Sequence, residues 1–487
     1  MMQSSLWFGH PRGLATLFFT EMWERFSYYG MRALLVLFMT DLVTSGGLGM
    51  TVSTTTAIYG LYTFAVYAVA LPGGWIGDRL MGQRHAVLYG AIVIALGHFS
   101  LAVPTISAFY FGLLLIVIGT GLLKPNISAI VADLYPEGGA RRDAGFSIYY
   151  MGINIGAFAG PLICGYLGEG INWHLGFSAA GIGMLLGVIQ YVLGWKHLGA
   201  AGLLQQQSSG ERASVIRSFL SGVGVVCVLL VLISFLQAND SLNVSILSIA
   251  QGTGLIITML VLLYFAYVFL YVDLSQAERR RVAVIPVLFV AAAVFWSGFE
   301  QAGSSMNLFA ERLTDRNVGE WEIPATWLQS VNPLFIVLFA PVFGAFWVKL
   351  GQKNPSIPVK FALGLTQLGV GFFVLAWGAT FSVDGSGVSP MWLVVTYFFH
   401  TTGELCLSPV GLSSITKLSP KRLVGQMMGI WFMASALGSL LAGLVAGLTE
   451  SLDLPQLFGT VGLIVVGTGC VLFLVSGPVS RLAEDVK

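Results

Sequence analysis

The stretch from Thr20 to Arg32 sets Glu21, Glu24, Arg25 and Arg32 inside apolar sequence, with Leu14 to Phe19 before it and Ala33 to Met39 after it. A charge at the centre of a bilayer costs about 2.5–3.5 kcal/mol on insertion scales, so such groups face a protein interior or a water-filled cavity. At 3.6 residues per turn Glu21, Arg25, Tyr28 and Arg32 share one face of a helix and Glu24 lies beside it, so the acids can neutralise part of the Arg25 charge. This helix is expected to line a cavity.

Three further charges fall within apolar runs. Lys124, in Gly119-Thr120-Gly121-Leu122-Leu123-Lys124-Pro125-Asn126, competes with the reading of a lysine that snorkels to the interface. It lies roughly ten residues, about 15 Å of helix, from the end of its run near Tyr135, which favours a cavity-facing ammonium. Glu300 sits toward the outer end of its run, where an interfacial carboxylate is the alternative. Glu404 is mid-run, in His400-Thr401-Thr402-Gly403-Glu404. The first half of the chain thus buries Arg25, Arg32 and Lys124 with Glu21 and Glu24, and the second half buries Glu300 and Glu404. A positive wall facing a negative wall suits a zwitterion, with its carboxylate toward the first half and its ammonium toward the second. Asn154 and Asn332 add polar groups, and Tyr28, Tyr29, Tyr67 and Trp431 offer amphipathic walls. Carboxylates beside basic groups can exchange protons as access to water alternates, which makes Glu21, Glu24 and Glu300 candidates for proton coupling.

The elements that must hold these residues are membrane helices. Of 487 residues, 56% are hydrophobic and 10% charged, against roughly 25% charged in a soluble domain. Apolar windows fall at 14–40, 55–77, 86–103, 108–132, 144–168, 175–195, 215–236, 247–272, 282–303, 326–348, 359–379, 391–412, 423–447 and 456–476, which predicts fourteen spans. Among the Lys and Arg of the loops, only Arg312 and Arg316 fall opposite the amino-terminal side, so the positive-inside rule places both termini in the cytoplasm. Pro72 precedes Gly82-Gln83-Arg84 as Pro341 precedes Gly351-Gln352-Lys353, and Pro125 corresponds to Pro409. These repeats predict two six-helix bundles, 1–197 and 282–487, with two inserted helices in 198–281 that contribute nothing to the substrate path. The segment Gly199 to Gly210 reads as a linker into the insert.

Other functions lack their residues. A net charge of +1 with scattered basic residues excludes a nucleic-acid partner. Cys164, Cys227, Cys406 and Cys470 are expected to be buried packing residues, neither disulfides nor zinc ligands. The histidines show no metal spacing, and no GxSxG, Walker loop or HExxH is present, so no metal, cofactor or enzyme activity is expected. The amino terminus shows no cleavable signal pattern. The loop Gly74 to Arg84, with Asp78 and Arg79, is expected to fix the second and third helices in one of two arrangements and so to act in gating.

These motifs resemble the proton-dependent oligopeptide transporters, a branch of the major facilitator superfamily. Glu21 to Gly30 is similar to their ExxERFxYYG motif. Phe146 to Gly156 resembles the fifth-helix signature, Leu123-Lys124-Pro125-Asn126 the fourth and Gly403-Glu404-Leu405 with Ser408-Pro409 the tenth. Asp78-Arg79 resembles the superfamily's loop between the second and third helices. The resemblance implies an all-α major facilitator fold of fourteen helices (6+2+6), working as a monomer in a bacterial inner membrane. It implies proton-driven import of di- and tripeptides, and of peptide-like drugs, by alternating access. By matching position, Arg25 and Lys124 would hold the peptide carboxylate, and Asn154, Asn332 and Glu404 the amino terminus. Tyr28, Tyr29, Tyr67, Ser408 and Trp431 would line the pocket. Glu21, Glu24, Arg25 and Glu300 would couple the proton, which needs no cofactor, and Arg32 would gate with Asp78 and Arg79. Ala132-Asp133 departs from the family pattern, which has a small pair with glycine there, and Asp133 is expected at the cytoplasmic gate. A same-fold carrier of nitrate, a drug or an amino-acid derivative is the alternative, and the intact ExxER motif disfavours the nitrate form.

Overall fold

The backbone amides in an apolar run must find partners within the run once lipid replaces water, which leaves the helix as the form these segments adopt. The structure, a computed structural model, describes residues 6–204, 206–239, 245–382 and 386–483. The first six long helices are α1 (Arg12–Thr40), α2 (Val52–Ala68), α3 (Gln83–Leu101), α4 (Ile106–Asp133), α5 (Gly139–Gly170) and α6 (Trp173–Gly194). Then come α7 (Ser209–Ala238) and α8 (Ile246–Tyr271). The last six are α9 (Gln276–Phe299), α10 (Val331–Leu350), α11 (Ile357–Ala379), α12 (Met391–Leu418), α13 (Val424–Gly447) and α14 (Leu454–Leu474). Among the described residues, 12 helices are long and apolar enough to cross a membrane. The charge-bearing α1 and α12 are as long and pack among them, consistent with the fourteen expected spans. Helix starts follow from capping residues: Thr51, Thr105, Asn172 and Ser245 accept backbone N–H groups at the starts of α2, α4, α6 and α8, and Ser275 with Glu278 closes a capping box on α9.

α1 packs most extensively on α5 and then on α6. The close approach requires glycine on α5, since a Cβ at Gly156 would collide with the Met22 carbonyl and one at Gly160 with the Phe26 carbonyl. α2 and α13 meet across the two halves in the same way, with Gly60 against Gly443. The bonds that join the halves cluster at the face away from the termini, here called the far face. There Ser53 N donates to Glu450 (2.9 Å), Asn307 Nδ2 to the Ala33 carbonyl (2.8 Å) and Trp327 Nε1 to the Leu162 carbonyl (2.9 Å).

The insert behaves unevenly. The described side chains of α7 are almost all exposed, whereas α8 buries Ala250, Val261, Phe265 and Val268 against α2 and α13. Tyr264 Oη donates to Gln426 Oε1 at 3.0 Å, and Arg422 bonds the Asp273 carbonyl, so the carboxyl end of the insert is tied to the second half. At its other end the linker is tied to the first half. Arg84 donates to the carbonyl of Gly199 (2.6 Å), Gly202 N to Asp133 (3.1 Å) and Gln207 Nε2 to the Arg79 carbonyl (2.9 Å). Asp133, the departure from the family pattern, therefore anchors the linker backbone. Of the four cysteines, Cys164 and Cys406 are buried as expected, but Cys227 and Cys470 are exposed on outward faces of α7 and α14. The expectation of burial fails there because an apolar run in lipid buries only one of its faces.

Candidate functional site

α1 brings its charged stripe to the centre of the molecule, where Glu21, Glu24, Arg25 and Arg32 are all at least nine-tenths buried. Arg25 Nε stands 3.3 Å from Glu21 Oε1, and its Nη2 donates to Glu24 Oε1 at 2.7 Å, while Nε also bonds the second Glu24 oxygen. Two acids thus hold one guanidinium. Its Cζ lies 5.0 Å from the Tyr28 ring centroid and 6.0 Å from that of Tyr29. Two turns on, Arg32 Nη2 pairs with Glu300 Oε2 of the second half at 3.0 Å, over the rings of Tyr29 and Tyr59. The pair is buried on both sides and joins the two halves.

A cavity of about 270 Å³ lies between the halves. From the first half Glu21, Arg25, Tyr29, Arg32, Tyr67, Lys124 and Asn154 line it. Glu300, Asn332, Glu404 and Ser408 face them from the second. Lys124 stands on α4 with its Nζ 4.5 Å from the Tyr67 ring centroid, and none of the described carboxylates lies within ion-pair distance of it. Pro125 leaves the Gly121 carbonyl without its usual helix donor, and Gly73, in the short helix Ala70–Ile76 that follows α2, packs directly on that carbonyl. Across the cavity, Glu404 Oε2 is buried with no hydrogen-bond partner among the described residues. Asn332 stands beside this carboxylate and donates to Thr401 Oγ1 at 2.9 Å, and Asn154 donates to the Tyr150 carbonyl at 2.9 Å.

Several expected residues sit elsewhere. Tyr28 does not line the cavity: it stacks on Tyr62 at 6.4 Å and supports Arg25 from beneath. Trp431 is also withdrawn, edge-on to Phe361 at 6.0 Å with Gly411 against its ring. Glu24 is sealed behind Arg25. Arg32, expected as a gating residue, both lines the cavity and pairs with Glu300. Asp78 and Arg79 are exposed at the termini face, where Asp78 accepts from Gln83 Nε2 at 2.9 Å. The cavity also takes in Tyr150, Trp296, Gln329 and His400, which sequence reasoning missed. Their one signal was position, since Trp296 and His400 each lie four residues before a buried acid. Among the described residues, α7 and α8 supply none of the lining.

Among the described residues no group of His, Cys, Asp and Glu could hold a metal ion. The fold and the cavity define a polytopic helical carrier of the major facilitator type, its charged centre lined from both halves of the chain. The POT family model matches residues 84–465. The chain is 43% identical to "Peptide transporter YePEPT" of Yersinia enterocolitica subsp. palearctica serotype O:3 (strain YE-P4), over 99% of this chain and 96% of that protein. It is 37% identical to the "Di-/tripeptide transporter" of Lactococcus lactis subsp. cremoris, over 99% and 98% of the two chains. A crystal structure of peptide transporter POT in complex with sulfate superposes with a TM-score of 0.91 at 41% identity, covering 98% of this chain and 97% of that one. The chain belongs to the POT family of transporters.

Proposed function

We propose that this protein imports di- and tripeptides together with protons by alternating access. One observation carries the reading: Lys124 and Glu404 line one cavity from opposite halves, and neither has an ion-pair partner among the described residues. Arg25 is held by Glu21 and Glu24, and Arg32 by Glu300, so the charges left for a ligand are one cation and one anion. A peptide carboxylate at Lys124, assisted by Arg25, and its ammonium at Glu404, Asn332 and Asn154 satisfy both. Tyr29, Tyr67 and Ser408 would border the ligand. Tyr28 and Trp431 would support the wall from behind. A drug that keeps both terminal charges at peptide spacing fits the same site.

Proton coupling would run through the paired acids. A proton on Glu300 removes the charge that holds Arg32 and loosens a bond between the halves, and a proton on Glu21 or Glu24 leaves Arg25 free to take a carboxylate. The bundles 1–197 and 282–487 would rock about the cavity while the insert 198–281 stays outside the path. Asp78 and Arg79 would act at the opposite gate. In this reading both termini lie in the cytoplasm of a bacterial inner membrane, the far face is the outer one, and the protein works as a monomer.

Uptake of labelled Ala-Ala into proteoliposomes tests the reading. It should rise with an inward proton gradient and fall to background for Lys124→Ala and Glu404→Gln. If no peptide competes while nitrate or an amino-acid derivative does, the protein is a carrier of that other solute.

A further inference from the structure

The terminal charges of a peptide leave neutral polar groups of the cavity unused, with Trp296 Nε1, His400 Nε2 and Gln329 Nε2 among them. Gln329 lines the cavity from the turn Ala325–Ser330 that precedes α10, and its Nε2 is buried with no acceptor among the described residues. Leaving a buried N–H unpaired is costly. The turn is fastened to α5 of the other half on both sides of Gln329. Glu169 accepts from Ala325 N (2.8 Å), Thr326 N (3.0 Å) and Thr326 Oγ1 (2.6 Å). Trp327 Nε1 donates to the Leu162 carbonyl (2.9 Å) and Ser330 Oγ to the Phe158 carbonyl (2.8 Å). With its neighbours fixed in this way, the carboxamide is presented to the cavity.

Asn332, three residues on, stands beside Glu404, so Gln329 lies toward the end of the cavity that would take the ammonium. The first acceptor a peptide offers beyond its ammonium is the carbonyl of its first residue. Resting on the peptide reading above, we propose that Gln329 donates its Nε2–H to that carbonyl oxygen and so selects ligands with an acceptor next to the amino end. The bonds that aim Gln329 join the two halves, so the donor is in place only while the far face is sealed. A ligand carbonyl therefore favours the sealed arrangement.

The test is competition against labelled Ala-Ala uptake in proteoliposomes by three unlabelled ligands: Ala-Ala, its ketomethylene isostere, which keeps the carbonyl and loses the amide N–H, and its trans-alkene isostere, which loses both. In the unaltered protein the ketomethylene form should compete nearly as well as Ala-Ala, and the alkene form several-fold less well, up to about tenfold. In Gln329→Leu, and likewise in Gln329→Ala, Ala-Ala should weaken to the level of the alkene form while the alkene form keeps its affinity. Equal competition by the alkene and Ala-Ala in the unaltered protein overturns the proposal without any variant. So does a Gln329→Leu loss that is the same for all three ligands, which would be a structural effect. Failure of Ala-Ala itself to compete in the unaltered protein would instead remove the peptide reading on which the proposal rests.

Discussion

The α1 stripe was legible at the level of single residues because charge in lipid is costly wherever it occurs. Spacing of Glu21, Arg25 and Arg32 sufficed to place them on one face, and the structure sets all three on the cavity wall. Aromatic residues carry no such cost, so Tyr28 and Trp431 could not be told from true lining residues. Which side of a ring meets the cavity depends on neighbours such as Tyr62 and Phe361 from other helices. Neutral Gln329 and Tyr150 were invisible for the same reason. The Arg32–Glu300 bond gives a prediction of its own. Glu300→Gln should keep peptide counterflow but lose accumulation driven by a proton gradient by at least tenfold, because an amide cannot exchange the proton. Parallel counterflow and gradient-driven assays separate the two. Lys124→Arg keeps the charge but not the compact ammonium seated over Tyr67, and should lower affinity for Ala-Ala several-fold, as read by competition.

Helices were read well by existence and poorly by packing. The window 326–348 merged the turn Ala325–Ser330 with α10, because apolarity does not distinguish a tight turn from a full helix. That turn holds Gln329 and the clasp to Glu169. Glycine positions were visible in the sequence, but the approach of α1 to α5 through Gly156 needed coordinates. Gly156→Val sets a side chain against the Met22 carbonyl, and overpacking of this kind costs about 1–3 kcal/mol. Thermal unfolding in detergent should show the midpoint lowered. The clasp predicts a different outcome, since Glu169→Ala removes the acceptor of three hydrogen bonds between the halves without entering the cavity. A single cysteine placed near the far face should then label faster with a membrane-impermeant maleimide, and unchanged labelling would show that the clasp does not hold that face shut.

At the scale of the whole molecule, matched prolines and glycine-basic turns lead to the expectation of two repeats with an inserted pair, but they give no sign of how the insert is attached. Its linker is bonded to Arg84, Asp133 and Arg79 of the first half, and the end of α8 to Gln426 and Arg422 of the second. Since none of the described residues of α7 and α8 lines the cavity, a chain lacking these helices and rejoined by a flexible linker should still take up Ala-Ala with an unchanged KM. The mooring at both ends has a mechanical consequence. A swing of one half against the other would shear a hairpin whose first helix is mostly exposed, so the hairpin would act as a compliant strap loaded by the bilayer. Turnover in the intact protein should therefore vary with acyl-chain length and lateral pressure, and the strapless chain should lose that dependence.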